Sequence, residues 1–175
     1  MNQIFKTFTR VPYVLCLAFC LLFLSSCGVY TFRDVSIDYS KYKTIKIDFL
    51  ENRASYKNPQ LSPKLTDALQ QKIANQTKLV RTNNDNASYR VSGYISSYSI
   101  TTAGISNQQA ATNRLTVGVH ITLTDNVVNK PTDYDISRDF DFSAGLTLQQ
   151  AEAQLLDDII KNVTDEIFNR LFSNW

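Results

Sequence analysis

Histidine occurs once in these 175 residues, at His120, and methionine and tryptophan once each. With one histidine and no Gly-x-Ser-x-Gly turn, neither a Ser-His-Asp hydrolase site nor a histidine-rich metal centre has the residues it needs. No glycine-rich loop is present to cradle a phosphate; the five glycines are scattered. Cysteine occurs three times, and two of the three, Cys16 and Cys20, lie inside the one long apolar run. That run, Val11 to Leu24, is 14 residues long, short of the roughly 20 that a membrane-spanning helix requires.

The run sits where an export signal keeps its apolar core. Lys6 and Arg10 precede it, no acidic residue does, and Leu24-Ser25-Ser26-Cys27 closes it. An apolar residue, two small ones and a cysteine resemble the bacterial lipobox. Residues 1–26 are thus expected to be removed by cleavage between Ser26 and Cys27, with Cys27 carrying a covalent diacylglyceryl and acyl anchor. Cys16 and Cys20 leave with the signal, so no intramolecular disulfide remains for an oxidising compartment to form. One acyl chain binds a membrane marginally, at about 0.8 kcal/mol per buried CH₂, and two or three make a stable anchor. The remaining 149 residues hold sixteen basic and sixteen acidic side chains, so no basic field for nucleic acid remains. A chain of that length buries enough surface to fold as one domain without metals or disulfides.

Residues 27–40 read as a polar and aromatic lead-in, and 41–175 as a single domain. Ile45, Ile47 and Phe49 alternate with Thr44, Lys46 and Asp48, the period of a strand. Ser62-Pro63 predicts a helix start, with serine as N-cap and proline at the first helical position. Leu65, Ala68, Leu69 and Ile73 continue as its apolar stripe, with the Lys72 stem alongside. Leu79-Val80 allows a brief extra strand.

Three longer strands follow, centred on Tyr89–Ser96, Leu115–Thr124 and Tyr134–Phe142. The second alternates cleanly, Leu115, Val117, Val119, Ile121 and Leu123 against Thr116, Gly118, His120, Thr122 and Thr124. The polar stretch Thr101 to Thr112 reads as a mobile loop or hairpin tip. Leu148 to about Phe172 carries two apolar ridges, Leu155-Ile159-Val163-Ile167-Leu171 and Leu156-Ile160-Phe168-Phe172. Asp157/Lys161 and Glu166/Arg170 are spaced as favourable helical ion pairs.

The order β-α-(β)-β-β-β-α predicts an α+β, two-layer sandwich, with both helices on one face of a four-stranded, mostly antiparallel or mixed sheet. The uncovered face then carries Tyr94, Tyr98, Thr116, Gly118, His120, Thr122 and Thr124, polar and nearly uncharged. It suits either water or a partner rich in hydrogen-bonding groups, such as the polar lumen of a transmembrane β-barrel. Asp133, Asp135, Asp139 and Asp141 share one face of the last strand, where they attract a cation or, as the simpler reading, shield a sheet edge.

Cys27-Gly28-Val29-Tyr30-Thr31-Phe32 resembles the Gly-x-Tyr-x-Phe opening of the LPS-assembly lipoproteins of the LptE family. So do Phe49-Leu50-Glu51-Asn52-Arg53-Ala54, Leu61-Ser62, Leu65-Thr66-Asp67-Ala68-Leu69, Tyr89-Arg90-Val91-Ser92-Gly93-Tyr94-Ile95, Asn113-Arg114-Leu115-Thr116-Val117 and the closing Ile167–Trp175, in the form of Bacteroidetes-type members. The resemblance implies two helices on a four-stranded sheet and no catalytic activity or cofactor. It implies a lipoprotein on the periplasmic side of the outer membrane that helps assemble the LptD β-barrel, plugs its lumen and, with it, passes lipopolysaccharide to the outer leaflet. On that reading Tyr94, Tyr98, Thr116, His120, Thr122 and Thr124 are the partner-binding candidates. The family's phosphate-contacting cations are not matched position by position, so Arg53, Lys57, Lys64 and Arg114 read either as contacts for lipid A phosphates or, more simply, as ordinary solvated charges. A free lipid or lipoprotein carrier, another envelope-assembly adaptor and an envelope enzyme are the competing readings.

Overall fold

The structure, a computed structural model, describes residues 37–106 and 109–173. The expected signal, Ser26, Cys27, the first part of the lead-in and the last two residues of the closing motif lie outside the described residues.

Two helices pack on one face of a mixed sheet, as the alternation predicts, but the sheet has six strands, not four. They are β1 (Thr44–Ile47), β2 (Glu51–Asn52), β3 (Val80–Arg81), β4 (Tyr89–Ser106), β5 (Gln109–Asp125) and β6 (Lys130–Ser143); the helices are α1 (Leu61–Gln76) and α2 (Leu148–Phe172). The order is β3-β1-β4-β5-β6, with β2 on the same side of β4 as β1. β1 runs parallel to β3 and β4, because α1 carries the chain back before β3 pairs. The β4–β5–β6 meander is antiparallel.

The extra strand comes from a break in what reads as one run. β1 and β2 both follow β4, and Asp48 N–H to Val91 (2.9 Å) and Arg53 N–H to Ile95 (2.9 Å) keep the chain on that track. Between them the alternation slips, as at a bulge. Leu50 turns into the core, its N–H donating to Thr66 Oγ1 at 3.1 Å. Phe49, expected beside Ile45, is instead 56% exposed.

A second slip corrects a site assignment. The pairing of β4 with β5 shifts between Ile95 and Ser97, inserting Ser96. Tyr98 therefore lies opposite buried Val117, on the helix side, and is 6% exposed. Strict alternation from Tyr94 places it on the open face; one inserted residue moves the side chains that follow across, as far as the next irregularity at Thr102 and Gly104. Gly118 stands opposite this bulge, and a Cβ there would collide with the Ser97 hydroxyl.

Helix α1 begins earlier than Ser62-Pro63 predicts. Asn58 Oδ1 accepts from Gln60 N–H at 2.9 Å and its carbonyl accepts from Leu61 N–H at 3.3 Å, winding the first turn with Gln60 as N-cap. Pro63 is then the third helical residue, still within the turn whose N–H groups have no helical partner. Ser62 caps nothing and is buried. Helix α2 matches its expected span and opens with a capping box, Gln150 N–H to Thr147 Oγ1 and Thr147 N–H to Gln150 Oε1. Glu166 and Arg170 pair at 3.0 Å, whereas Asp157 meets Lys64 of α1 at 3.7 Å.

Between the layers, Ile45, Leu65, Leu69, Ile95, Leu115, Ile121, Ile159 and Ile167 are fully buried, each stabilising by roughly 1.5–3 kcal/mol. Of the two readings of the stretch from Thr101, the hairpin end is the one found: it extends the β4–β5 ladder and outruns β6, whose last pair is Ser143 with Thr112. Thr101, Thr102, Ala103 and Ile105 are exposed there.

Candidate functional site

The sheet face turned away from the helices is where the predicted partner-binding residues gather. Register fixes their neighbours. Thr116 lies opposite Asp139, Gly118 opposite Ser137, His120 opposite Asp135, Thr122 opposite Asp133 and Thr124 opposite Pro131. The side chains complete these pairs. Thr116 donates to Asp139 (2.7 Å), Thr122 to Asp133 (2.6 Å), and His120 Nδ1 meets Asp135 at 2.8 Å. Arg114 grips Asp141 with two parallel bonds of 2.7 and 2.9 Å. That contact holds the Asp141 carboxyl below its ordinary value and lifts the guanidinium above its own.

The face is therefore not nearly uncharged. The aspartates that sequence reading treats as an edge device belong to the same surface as the threonines and His120. Each has a partner on β5, and among the described residues no group of three or more His, Cys, Asp or Glu is gathered for a metal ion.

On the other side of His120 the face becomes aromatic. Its ring lies 5.1 Å from that of Tyr94, and the Arg53 guanidinium stands 4.4 Å above the Tyr94 ring. Arg53 is also held by Glu51 at 3.1 Å. Exposed Phe49 completes a shallow pocket of about 340 Å³ together with Asp48, Glu51, Arg53, Tyr94, His120 and Thr122. Asp48 takes Arg90 (2.8 Å) and Lys46 (3.7 Å), so the pocket rim carries both signs. Gly93 brings β4 close beside this pocket, since a Cβ there would collide with the His120 carbonyl.

Chemically this face is an array of hydrogen-bonding groups. The nearest strand hydroxyls, Thr116 and Thr122, donate to aspartates and not to the imidazole, so neither is set up as a nucleophile by His120. Donors and acceptors stand in rows at the strand repeat, with an aromatic island at one end.

The four cations assigned to phosphate contact do not come together. Arg53 and Arg114 share the open face, each against a carboxylate. Lys64 lies on the helix layer against Asp157, and Lys57 is exposed in the loop between β2 and α1.

Sequence reading misses two residues. Phe49 is displaced by the β1–β2 slip. Glu152, placed among the flanking charges of α2, is 9% exposed and accepts from Tyr98 (2.8 Å) and Tyr56 (3.1 Å). It lies four residues before Leu156, so extending that ridge back one turn locates it. Burial, then the bond to Glu152, raises both tyrosine hydroxyls above their ordinary pKa.

Against this geometry, the family model LptE, lipopolysaccharide-assembly, matches residues 42–171, which is the sheet, both helices and the whole open face. The chain belongs to the LptE family. No curated protein sequence matches it significantly. Among solved structures, rare lipoprotein B of Shewanella oneidensis is similar with 14% identity and a TM-score of 0.51, covering 72% of this chain and 92% of that one. Lipoprotein B of Nitrosomonas europaea is similar with 15% identity and a TM-score of 0.52, covering 75% and 83%. A hypothetical protein of Chlamydia trachomatis is similar with 12% identity and a TM-score of 0.51, covering 74% and 95%. These likenesses establish a shared fold. As an LptE-family protein the chain is an LPS-assembly lipoprotein by family, and among its described residues no helix is long and apolar enough to cross a membrane.

Proposed function

We propose that this LptE-family chain is a non-enzymatic subunit of the lipopolysaccharide translocon, anchored through Cys27 on the periplasmic side of the outer membrane. It presents its open sheet face to the inside of an LptD-type β-barrel, supporting barrel assembly and filling its lumen. The observation that carries this reading is the open face itself. Its rows of threonine, aspartate, arginine and histidine offer hydrogen bonds at every second residue, and barrel lumens are lined by polar side chains that can answer them. Exposed ion pairs add little stability to the domain that holds them, so their partners can be exchanged for those of a docking lumen at little cost to the fold.

A free lipid carrier needs an apolar cavity large enough for acyl chains. The space between helices and sheet is instead filled by Ile45, Leu65, Leu69, Ile121, Ile159 and Ile167, all at most 0% exposed.

The test is affinity recovery of a tagged copy from detergent-solubilised outer membranes. The proposal expects a large β-barrel in equimolar amount. Recovery of the lipoprotein alone, from cells in which the barrel is present, refutes it.

A further inference from the structure

The end of the sheet at which the described chain begins differs from the opposite end. Thr44, Val80, Tyr89, Asp125 and Lys130 mark it in register. Ile37 and Tyr39 pack against the core just before β1, so residues 27–36 connect to this end. Tyr42 stacks on Tyr89 with ring centroids 4.5 Å apart, and its hydroxyl donates to Asp125 Oδ2 at 2.8 Å. The other oxygen of Asp125 accepts from the N–H groups of Val127 (2.9 Å) and Val128 (3.2 Å). One carboxylate thus ties the incoming chain to the β5–β6 turn and shapes that turn.

The turn itself is unusual. Its geometry is secured by Asn126, which donates to the Ala87 carbonyl at 2.7 Å, and by Asn129 at φ 52°, a left-handed conformation asparagine tolerates. Between them stand two valines, 51% and 62% exposed, where polar residues normally sit. Val80, at the same end, is 65% exposed. Around them Lys41, Lys43, Lys78 and Lys130 are exposed. Of the nearby acids, Asp125 is engaged by the turn, Asp38 by Lys41 (3.9 Å) and Asp85 by Lys46 (2.5 Å). The ribbon of β4 and β5 at the opposite end carries none of these charges. From Val91 to Asn113 the sequence contains no charged residue.

We infer that this lysine-fringed, valine-tipped end seats on an anionic phospholipid surface. Val127 and Val128 enter the boundary between headgroups and acyl chains, and Lys43, Lys78 and Lys130 meet headgroup phosphates. The length of chain beyond the described residues points to the same occupant. Nine residues lie between the acyl-bearing Cys27 and Ile37, and the ten Cα-to-Cα steps they make reach at most about 36 Å. β4, with 18 residues, runs about 60 Å, so the anchor keeps this end, and not the uncharged ribbon, beside the leaflet. The inference rests on acylation of Cys27, as does the function proposed above, and adds a second contact with the membrane.

The test uses the full chain expressed in bacteria, extracted from membranes and returned to vesicles of phosphatidylethanolamine with phosphatidylglycerol. Val128→Cys carries an environment-sensitive fluorophore, with Thr102→Cys on the ribbon as reference. Nitroxide on the lipid chains should quench the probe at 128 several-fold more than that at 102. Lys43→Gln, Lys78→Gln and Lys130→Gln together should reduce the difference, as should high salt. Equal quenching at 128 and 102 overturns the inference. The intact mass of the same sample separates the two readings: an acylated chain with equal quenching defeats only the seat on the leaflet, whereas a chain without acyl groups defeats the anchor and this inference with it.

Discussion

The side of the sheet under the helices is held by aliphatic side chains with almost no accessible surface, among them Ile95, Leu115, Ile121 and Ile159. The other side is held by Arg114–Asp141, Thr116–Asp139, His120–Asp135 and Thr122–Asp133, all at least partly in water. The first arrangement stabilises through area removed from water and tolerates no missing volume. The second contributes little to stability, because water already satisfies those groups in the unfolded chain. On the proposed function, folding and recognition fall to opposite faces of the same strands, and substitutions should separate them.

The largest stability loss is expected from Ile159→Ala. Removing a fully buried side chain should cost about 2–5 kcal/mol, read as a lower urea midpoint with an unchanged slope. Barrel recovery should fall only as far as folded protein falls. Next comes Tyr98→Phe, which takes one of two donors from Glu152 in a buried setting and should cost about 1–3 kcal/mol.

The same contact gives a pH dependence. The Tyr98 and Tyr56 hydroxyls sit above their ordinary pKa of 10.0, so folding favours the neutral phenols. Their contribution is fully present below about pH 10 and is lost as pH rises through the folded values. Tyr98→Phe should therefore lose less stability between neutral and alkaline pH than the parent chain, followed by circular dichroism in urea. An equal alkaline loss would remove Tyr98 from the account.

The smallest stability effect, within about ±0.5 kcal/mol, is expected for Thr122→Ala on the open face. Yet with His120→Ala it should lower recovery of the barrel. A stability loss rivalling that of Ile159→Ala, or barrel recovery unchanged with both replaced, would break the division between the faces.

The helix-facing layer was legible because burial repeats at fixed periods. Leu115 to Leu123 alternate without interruption, and the α2 ridges run at intervals of four. The open face was legible in β5 for the same reason, so Thr116, His120, Thr122 and Thr124 stand where alternation puts them. What escaped depends on single inserted residues. Ser96 moves Tyr98 to the helix side, and the step between β1 and β2 turns Phe49 outward. Such slips change no composition and are settled by tertiary contacts, here Glu152 receiving Tyr98 and Thr66 receiving the Leu50 N–H. The pairing of the β6 aspartates with β5 was equally out of reach, because strand register is a long-range property. The proposed anchor at Cys27 rests on a local motif of four residues, Leu24 to Cys27.

Site-specific photo-crosslinking in living cells puts the division to its most direct trial. A photoreactive residue replacing Tyr94, Thr116 or His120 should capture an outer-membrane β-barrel, while one replacing Asp67 on the exposed side of α1 should capture it far less. Capture from Asp67 equal to that from Thr116, or no barrel adduct from any open-face position, would contradict the account.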